Sequence, residues 1–278
     1  MAESDKRGYL SENYRLFHIS DKRDVDFESH FHDFHKVIIC LSGNVTYIME
    51  GKTYFLKARD ILFVPKGEIH KSCLSSAEKY ERVVIWVKDE YLRMFEDDGN
   101  SLATCFDMAK LSNMCIINPT KDAFGLILQY ISEIEALKST HLFGKSIMKD
   151  TYFSQLFVVL TRLIFEQKPT SQSFASDPKF DEILHFINSE LASPLSVEVI
   201  CKKFFVSRSY LMHRFKELTG CSVHEYIIQK RMNEAFEKIR LGTPANIAAS
   251  ESGFSDYTVF YRNFKKTFGV APAKVMRK

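Results

Sequence analysis

One internal repeat constrains this chain more than anything else in it. Phe215-Lys216, three residues and Gly220 recur 49 residues later as Phe264-Lys265, three residues and Gly269. Each copy closes a helical pattern that begins near a small polar residue, Ser207 or Ser255. Each also follows a shorter helical pattern, residues 196–204 and 244–252. Two short helices joined by a tight turn, twice over, describe a pair of helix-turn-helix units.

In the first unit Ser196 suits an N-cap, and Val199, Ile200 and Phe204 share one side. Leu211, Phe215 and Leu218 recur at spacings of four and three, which turns them inward. Arg208, Ser209, Met212, His213 and Lys216 then face out. In the second unit Phe260, Phe264 and Phe268 form the inward stripe, and Tyr257, Thr258, Tyr261, Arg262 and Lys265 face out. The 49-residue offset puts Arg262 where His213 stands, Tyr261 at Met212 and Thr258 at Ser209. Gly220 and Gly269 fall where a helix C-terminus needs a left-handed residue. Residues 222–241 read as one amphipathic helix, roughly 30 Å long at 1.5 Å per residue. That is close to one turn of duplex DNA (~34 Å), so the two outward faces could enter successive major grooves. Pro244 suits the first turn of the helix that follows.

The strings Leu195-Ser196, Tyr210-Leu211, Phe215-Lys216, Thr219-Gly220, Ile247-Ala248, Gly253-Phe254-Ser255-Asp256 and Arg262-x-Phe264-Lys265-Lys266, with Pro272, resemble the AraC/XylS transcription regulators in order and spacing. The resemblance runs from Lys179 to the end and implies a DNA-binding domain. One departure is His213, where that family commonly carries Arg.

Charge is divided accordingly. The whole chain of 278 residues has 38 Lys+Arg and 35 Asp+Glu, a net +3. From Lys179 onward 16 basic residues face 10 acidic ones, and the first 178 residues hold 22 against 25. A basic end on an acidic body suits one domain that meets phosphates and one that does not. The six cysteines (Cys40, Cys73, Cys105, Cys115, Cys201, Cys221) make no C-x-x-C pair and no zinc spacing, so free thiols in a reducing cytoplasm are expected. The polar N-terminus predicts no signal peptide, and no apolar run approaches membrane-spanning length.

Residues 9–87 read as short strands broken by turns: 36–41, 45–50, 52–56, 61–64 and 82–87. Ser42-Gly43-Asn44 reads as a hairpin turn between the first two. Such a pattern implies a sandwich or barrel. His30-x-His32, Gly43, Asp60 and Pro65-x-Gly67-x-x-His70 resemble the two half-motifs of the cupin barrel, the usual sensor of arabinose-type regulators. In metal-binding cupins a carboxylate stands where this chain has Lys36, which offers donors but no lone pair when protonated. An ion-free pocket is therefore expected, with no cofactor and no metal. Its lining would be His30, His32, Lys36 and His70, plus Arg82 and Trp86, which share one face of their strand.

Residues 122–138 and 145–167 carry apolar helical stripes: Phe124, Ile127, Leu128, Ile131 and Ile134, then Phe153, Leu156, Phe157, Leu160 and Ile164. In relatives such helices form a dimer interface; folding back onto the barrel is the alternative. Residues 168–178 read as a linker.

The expected architecture has two domains. Residues 1–167 form an all-β cupin-like effector-binding and dimerisation domain, with a barrel at about 9–90 and helices at about 91–167. After the linker, 179–278 form an all-α domain of two helix-turn-helix units joined by a long helix. The expected function is a cytoplasmic, effector-responsive, non-enzymatic transcription regulator. Its partners would be double-stranded DNA, a small molecule (a carbohydrate is one candidate class), a second copy of itself and RNA polymerase. A cupin dioxygenase or isomerase is the competing reading. Lys36 in the carboxylate place and the complete helix-turn-helix pair speak against it. A third reading keeps DNA binding and makes the N-terminal domain a dimerisation module without ligand.

Overall fold

The structure is a computed structural model; it describes residues 10, 12–21, 28–73, 79–112, 115–141, 143–166, 174–175 and 177–275. Most of the 168–178 linker lies outside the described residues.

Two antiparallel sheets form the N-terminal body. The first orders β1 (Tyr14–Asp21), β7 (Tyr80–Val87), β2 (His35–Ser42), β5 (Ile61–Val64) and β10 (Ile116–Ile117) as β1-β7-β2-β5-β10. The second orders β11 (Phe174–Ala175), β4 (Lys52–Leu56), β3 (Val45–Met49) and β6 (His70–Cys73) as β11-β4-β3-β6. An isolated bridge between His30 and His70 joins the segment before β2 to β6. Strands β2 and β7 are covered on both faces, which is why they read as near-continuous apolar runs rather than alternating ones.

The expected hairpin at Ser42-Gly43-Asn44 is corrected here. β2 pairs with β7 and β5, whereas β3 pairs with β4 and β6, so this turn carries the chain from one sheet to the other. Gly43 sits at φ +81°, and a Cβ there would meet the Lys79 carbonyl at 2.7 Å. The hairpin proper lies between β3 and β4. Glu50 and Gly51 both take positive φ (48° and 75°), as a two-residue turn of the I′ type requires.

Past β7 come α1 (Asp89–Arg93), a short ribbon β8–β9 (Glu96–Asp97, Asn100–Ser101) and α2 (Thr104–Ser112). The long helices α3 (Lys121–Ala136) and α4 (Lys145–Glu166) follow. Phe124, Ile127, Ile131 and Ile134 of α3 and Phe153, Leu156, Phe157, Leu160 and Ile164 of α4 are buried in the same core as the barrel strands. Tyr14 stacks on Phe153 at 4.0 Å, and Phe106 of α2 stacks on His35 at 4.1 Å. The stripes the sequence left open are thus covered by the barrel.

The C-terminal body holds α5 (Pro178–Ser189), α6 (Val197–Phe204), α7 (Arg208–Thr219), α8 (Val223–Arg240), α9 (Ala245–Glu251), α10 (Tyr257–Phe268) and α11 (Pro272–Val275). Helices α7 and α10 begin and end 49 residues apart, as the repeat requires. Ser207 caps α7 through Tyr210 N; the cap of α10 is Asp256 rather than Ser255, accepting from Thr258 N and Val259 N. Gly220 and Gly269 end both helices in the left-handed region (φ 78° and 70°). Phe215, Phe260, Phe264 and Phe268 build the core against Tyr226 and Phe236 of α8.

Unforeseen from sequence is how closely the two bodies dock. Phe31 and Ile69 of the barrel join the helical core, and Phe31 meets Phe268 edge-on at 5.9 Å. A stripe along α8 (Tyr226, Lys230, Asn233, Glu237, Arg240) meets the barrel rim. Lys230 pairs with Glu50 at 2.6 Å and Glu68 at 3.8 Å, and Tyr226 donates to Glu50. Lys66 reaches Glu237 at 3.5 Å, and Arg240 reaches Glu90 at 3.6 Å. Asn233 presses on Gly67, where a Cβ would come within 2.4 Å of its amide.

Candidate nucleic-acid interface and effector site

All ten residues nominated for the outward faces are exposed: Arg208, Ser209, Met212, His213 and Lys216 on α7, and Tyr257, Thr258, Tyr261, Arg262 and Lys265 on α10. Their inward partners Leu211, Phe215, Phe260, Phe264 and Phe268 are buried. Burying the Phe stripe fixes the rotation of each helix, and that rotation presents the polar face. Met212, Tyr257 and Tyr261 stay 40–48 % exposed, more apolar surface than a solvated helix face needs. Arg208 pairs with Glu198 of α6 and would have to leave it to reach a phosphate or base. Arg214, on the flank of α7, instead grips Asp177, the cap of α5.

In the barrel His30, His32 and Lys36 come together around His70. Each of three imidazoles spends its Nδ1–H on a main-chain carbonyl: His30 on Glu28 (2.8 Å), His32 on Phe34 (2.8 Å) and His70 on Glu68 (2.9 Å). A carbonyl can only accept, so the three Nε2 atoms are left as bare lone pairs. One ligand nitrogen from each ring lies within 4.8 Å of the others. Lys36 donates to His70 Nε2 at 3.0 Å, while His32 Nε2 is buried without a partner. Burial first, and Lys36 second, hold all three imidazoles below the usual histidine range, His30 at about 4. Burial, helped by Arg82, brings Lys36 down to about 7.

Lys36 lies opposite Trp86 in the β2–β7 ladder, and Arg82 lies further along the same face opposite Cys40. Trp86 meets Phe34 at 4.9 Å and Phe17 at 4.8 Å, and its indole N–H is buried without a partner. The two phenylalanines were not foreseen. Phe34 carried a usable signal, since it falls two residues after His32 on the same side of the chain. His30 is exposed as a residue, with its ring turned onto His70 at 4.5 Å between centroids, so it marks the mouth of the site.

The donor set suits a resident metal ion only in part. Three convergent lone pairs, each fixed by a carbonyl behind it, are what a zinc site uses. Here, however, an ammonium donates into one of the three, and no carboxylate stands among the grouped ligands. The arrangement fits a ligand that brings hydrogen-bond donors better than it fits a divalent cation.

A β-barrel with polar groups converging inside it, docked to two helix-turn-helix units with exposed polar outer faces, defines a DNA-binding regulator that carries its own ligand-binding domain. The family described as a helix-turn-helix domain matches residues 200–278, and the AraC-like ligand binding domain matches residues 14–90. The HTH-type transcriptional activator RhaR of Pectobacterium atrosepticum is 25% identical over 250 residues, covering 89% of this chain and 85% of its own length. RhaR of Escherichia coli O139:H28 is 22% identical over 281 residues, covering 97% and 94%. Among solved structures, ToxT from Vibrio cholerae is 17% identical with a TM-score of 0.38, covering 96% of this chain and 98% of that one. The chain belongs to the AraC/XylS family of transcription regulators, with an AraC-type ligand-binding domain ahead of its DNA-binding domain. Among the described residues no helix is long and apolar enough to cross a membrane.

Proposed function

We propose that this regulator reads its operator with α7 and α10 in successive major grooves and binds its effector among His30, His32, Lys36, His70, Arg82 and Trp86. The observation that carries the first part is the exposure of all ten outward residues on two helices whose phenylalanine stripes are buried. Arg262 is assigned to base reading and Lys216 and Lys265 to phosphates. The protein acts in the cytoplasm without catalysis of its own and without a resident metal; it activates transcription, the activity that the name of its relatives carries, with RNA polymerase as its partner. Residues 1–167 serve sensing and dimerisation, and 179–278 serve DNA binding.

A second copy is assigned to the outer faces of α3 and α4. With their inner stripes spent on the barrel, the outer faces keep a groove of about 660 Å³ lined by residues that include Leu126, Tyr130, Ile147, Val158 and Val159.

Footprinting of the full-length protein on DNA beside its own gene tests the reading. Two protected patches about one helical turn apart on one face are expected for each copy, with sedimentation as a dimer. A single short patch would sink the two-groove arrangement. Metal analysis of the purified protein should find well under one equivalent.

A further inference from the structure

Lys36 is a primary amine in a setting that favours its uncharged form. It is half-buried, and among the described residues no carboxylate pairs with it. Its hydrogen-bond partner is the bare Nε2 of His70, and Arg82 supplies a second positive charge on the same strand face as Trp86. Across the ladder, the Trp86 indole N–H has no acceptor although the residue is only 9 % exposed. A buried N–H without a partner is costly to leave unmade, and a ligand oxygen would satisfy it.

We propose that Lys36 is a covalent docking point for carbonyl-bearing small molecules, condensing with an aldehyde or ketone to a Schiff base inside the barrel. The inference rests on the effector reading above and names the chemical class that site takes. The amine lone pair attacks the carbonyl carbon, and the C–N bond forms as the C=O π pair moves onto oxygen. A proton passes from nitrogen to oxygen, giving the carbinolamine. That oxygen takes one further proton from solvent and leaves as water while the nitrogen lone pair closes the C=N⁺ bond. Nothing is oxidised or reduced, and hydrolysis reverses the step, as a sensor requires.

The site supplies what each stage needs. Burial holds Lys36 near 7, so free amine exists at neutral pH. The Trp86 N–H is available to the developing oxyanion. The product iminium keeps an N–H for the same His70 nitrogen that now accepts from the ammonium. Two common sources share this chemistry: 2-oxo acids, whose carboxylate would suit Arg82, and open-chain aldoses.

The experiment incubates the full-length protein with cyanoborohydride and either pyruvate or D-glyceraldehyde, then maps adducts by mass spectrometry. One reduced adduct per chain is expected on Lys36, absent from Lys36→Arg, which keeps the charge and removes the nucleophile. The probe that labels Lys36 at the lower concentration identifies the source. Labelling spread over exposed lysines, with Lys36 no faster in either arm, overturns the proposal. Emission from Trp86, the single tryptophan, is followed in parallel without reductant. A change in emission without a Lys36 adduct discards the covalent step and leaves the pocket standing. Neither signal with either probe counts against both.

Discussion

Asp33 shows how one residue can work against its surroundings. It sits between two buried neighbours, His32 and Phe34, with one carboxylate oxygen buried and unpartnered. Burial, with Glu90 and Glu237 nearby, raises it from 3.8 to about 7. A carboxyl raised on folding contributes stability that is fully present below 3.8 and lost as pH rises through about 7. Asp33→Asn removes the ionisation and should therefore leave stability unchanged near pH 4. By pH 8 it should raise stability by on the order of 2 kcal/mol, discounted for partial exposure. Chemical denaturation of both proteins across that range measures the difference. A variant no more stable than the parent at pH 8 would show that the carboxylate finds solvent in the folded state. A neighbouring case of local strain is Phe205, a non-glycine residue at φ 53° in the turn between α6 and α7, where it is 92 % exposed.

At the scale of elements, α7 and α10 are equivalent in frame and unequal in chemistry. Arg262 lies one turn beyond Thr258, and a guanidinium can hold guanine O6 and N7 together, worth about 1–3 kcal/mol of discrimination. Arg262→Ala should weaken specific binding roughly ten-fold or more and relax preference at one or two base pairs. Lys265→Ala should weaken all sequences alike and lower the salt slope by about one unit. His213→Ala should cost less specificity, since a single imidazole donor stands in α7 where α10 has the guanidinium fork of Arg262. Titrations against single-base operator variants at several salt concentrations separate these outcomes. If Arg262→Ala merely lowers all affinities together, its assigned role is wrong. These helices were legible because their signals are local: Phe260, Phe264 and Phe268 at spacing four, Gly269 at the end, a polar cap at the start. The Ser42-Gly43-Asn44 corner was misread for the opposite reason. A glycine at positive φ suits a hairpin and an inter-sheet corner equally, and only the long-range partners of β2 and β3 decide between them. The convergence of His30, His32, Lys36 and His70 was legible through spacing, whereas the bare state of the three imidazole Nε2 atoms depends on carbonyl positions that sequence does not encode.

For the whole molecule the decisive contact is the one between bodies. Lys230 falls within the 222–241 amphipathic pattern, and nothing local marks it, because its partners, Glu50 and Glu68, lie more than 160 residues upstream. The two carboxylates hold Lys230 above its ordinary range, while burial pushes Glu50 up to about 6. Removing the cation strands Glu50 at a dry interface, while Glu68 keeps Lys110 at 2.9 Å. Lys230→Ala should cost about 3–5 kcal/mol of docking and split a single melting transition into two. Adding Glu50→Gln and Glu68→Gln should restore most of it, as neutral partners need no cation. Calorimetry of the three proteins decides, and a single unshifted transition in Lys230→Ala would mean the pair contributes nothing to holding the bodies together.

The loop from Pro65 to His70 faces both ways. His70 turns toward Lys36, while Lys66, Gly67 and Glu68 lie under α8, and a single carbonyl, that of Glu68, anchors the His70 ring. Sensor and reader are consequently not interchangeable parts. An engineer who grafts this barrel onto another regulator's reading head inherits a mismatched seam unless Tyr226, Lys230, Asn233, Glu237 and Arg240 travel with it. Natural lineages that exchange heads face the same constraint, so sensor and linking helix should be inherited as a unit even where the operator-reading residues diverge.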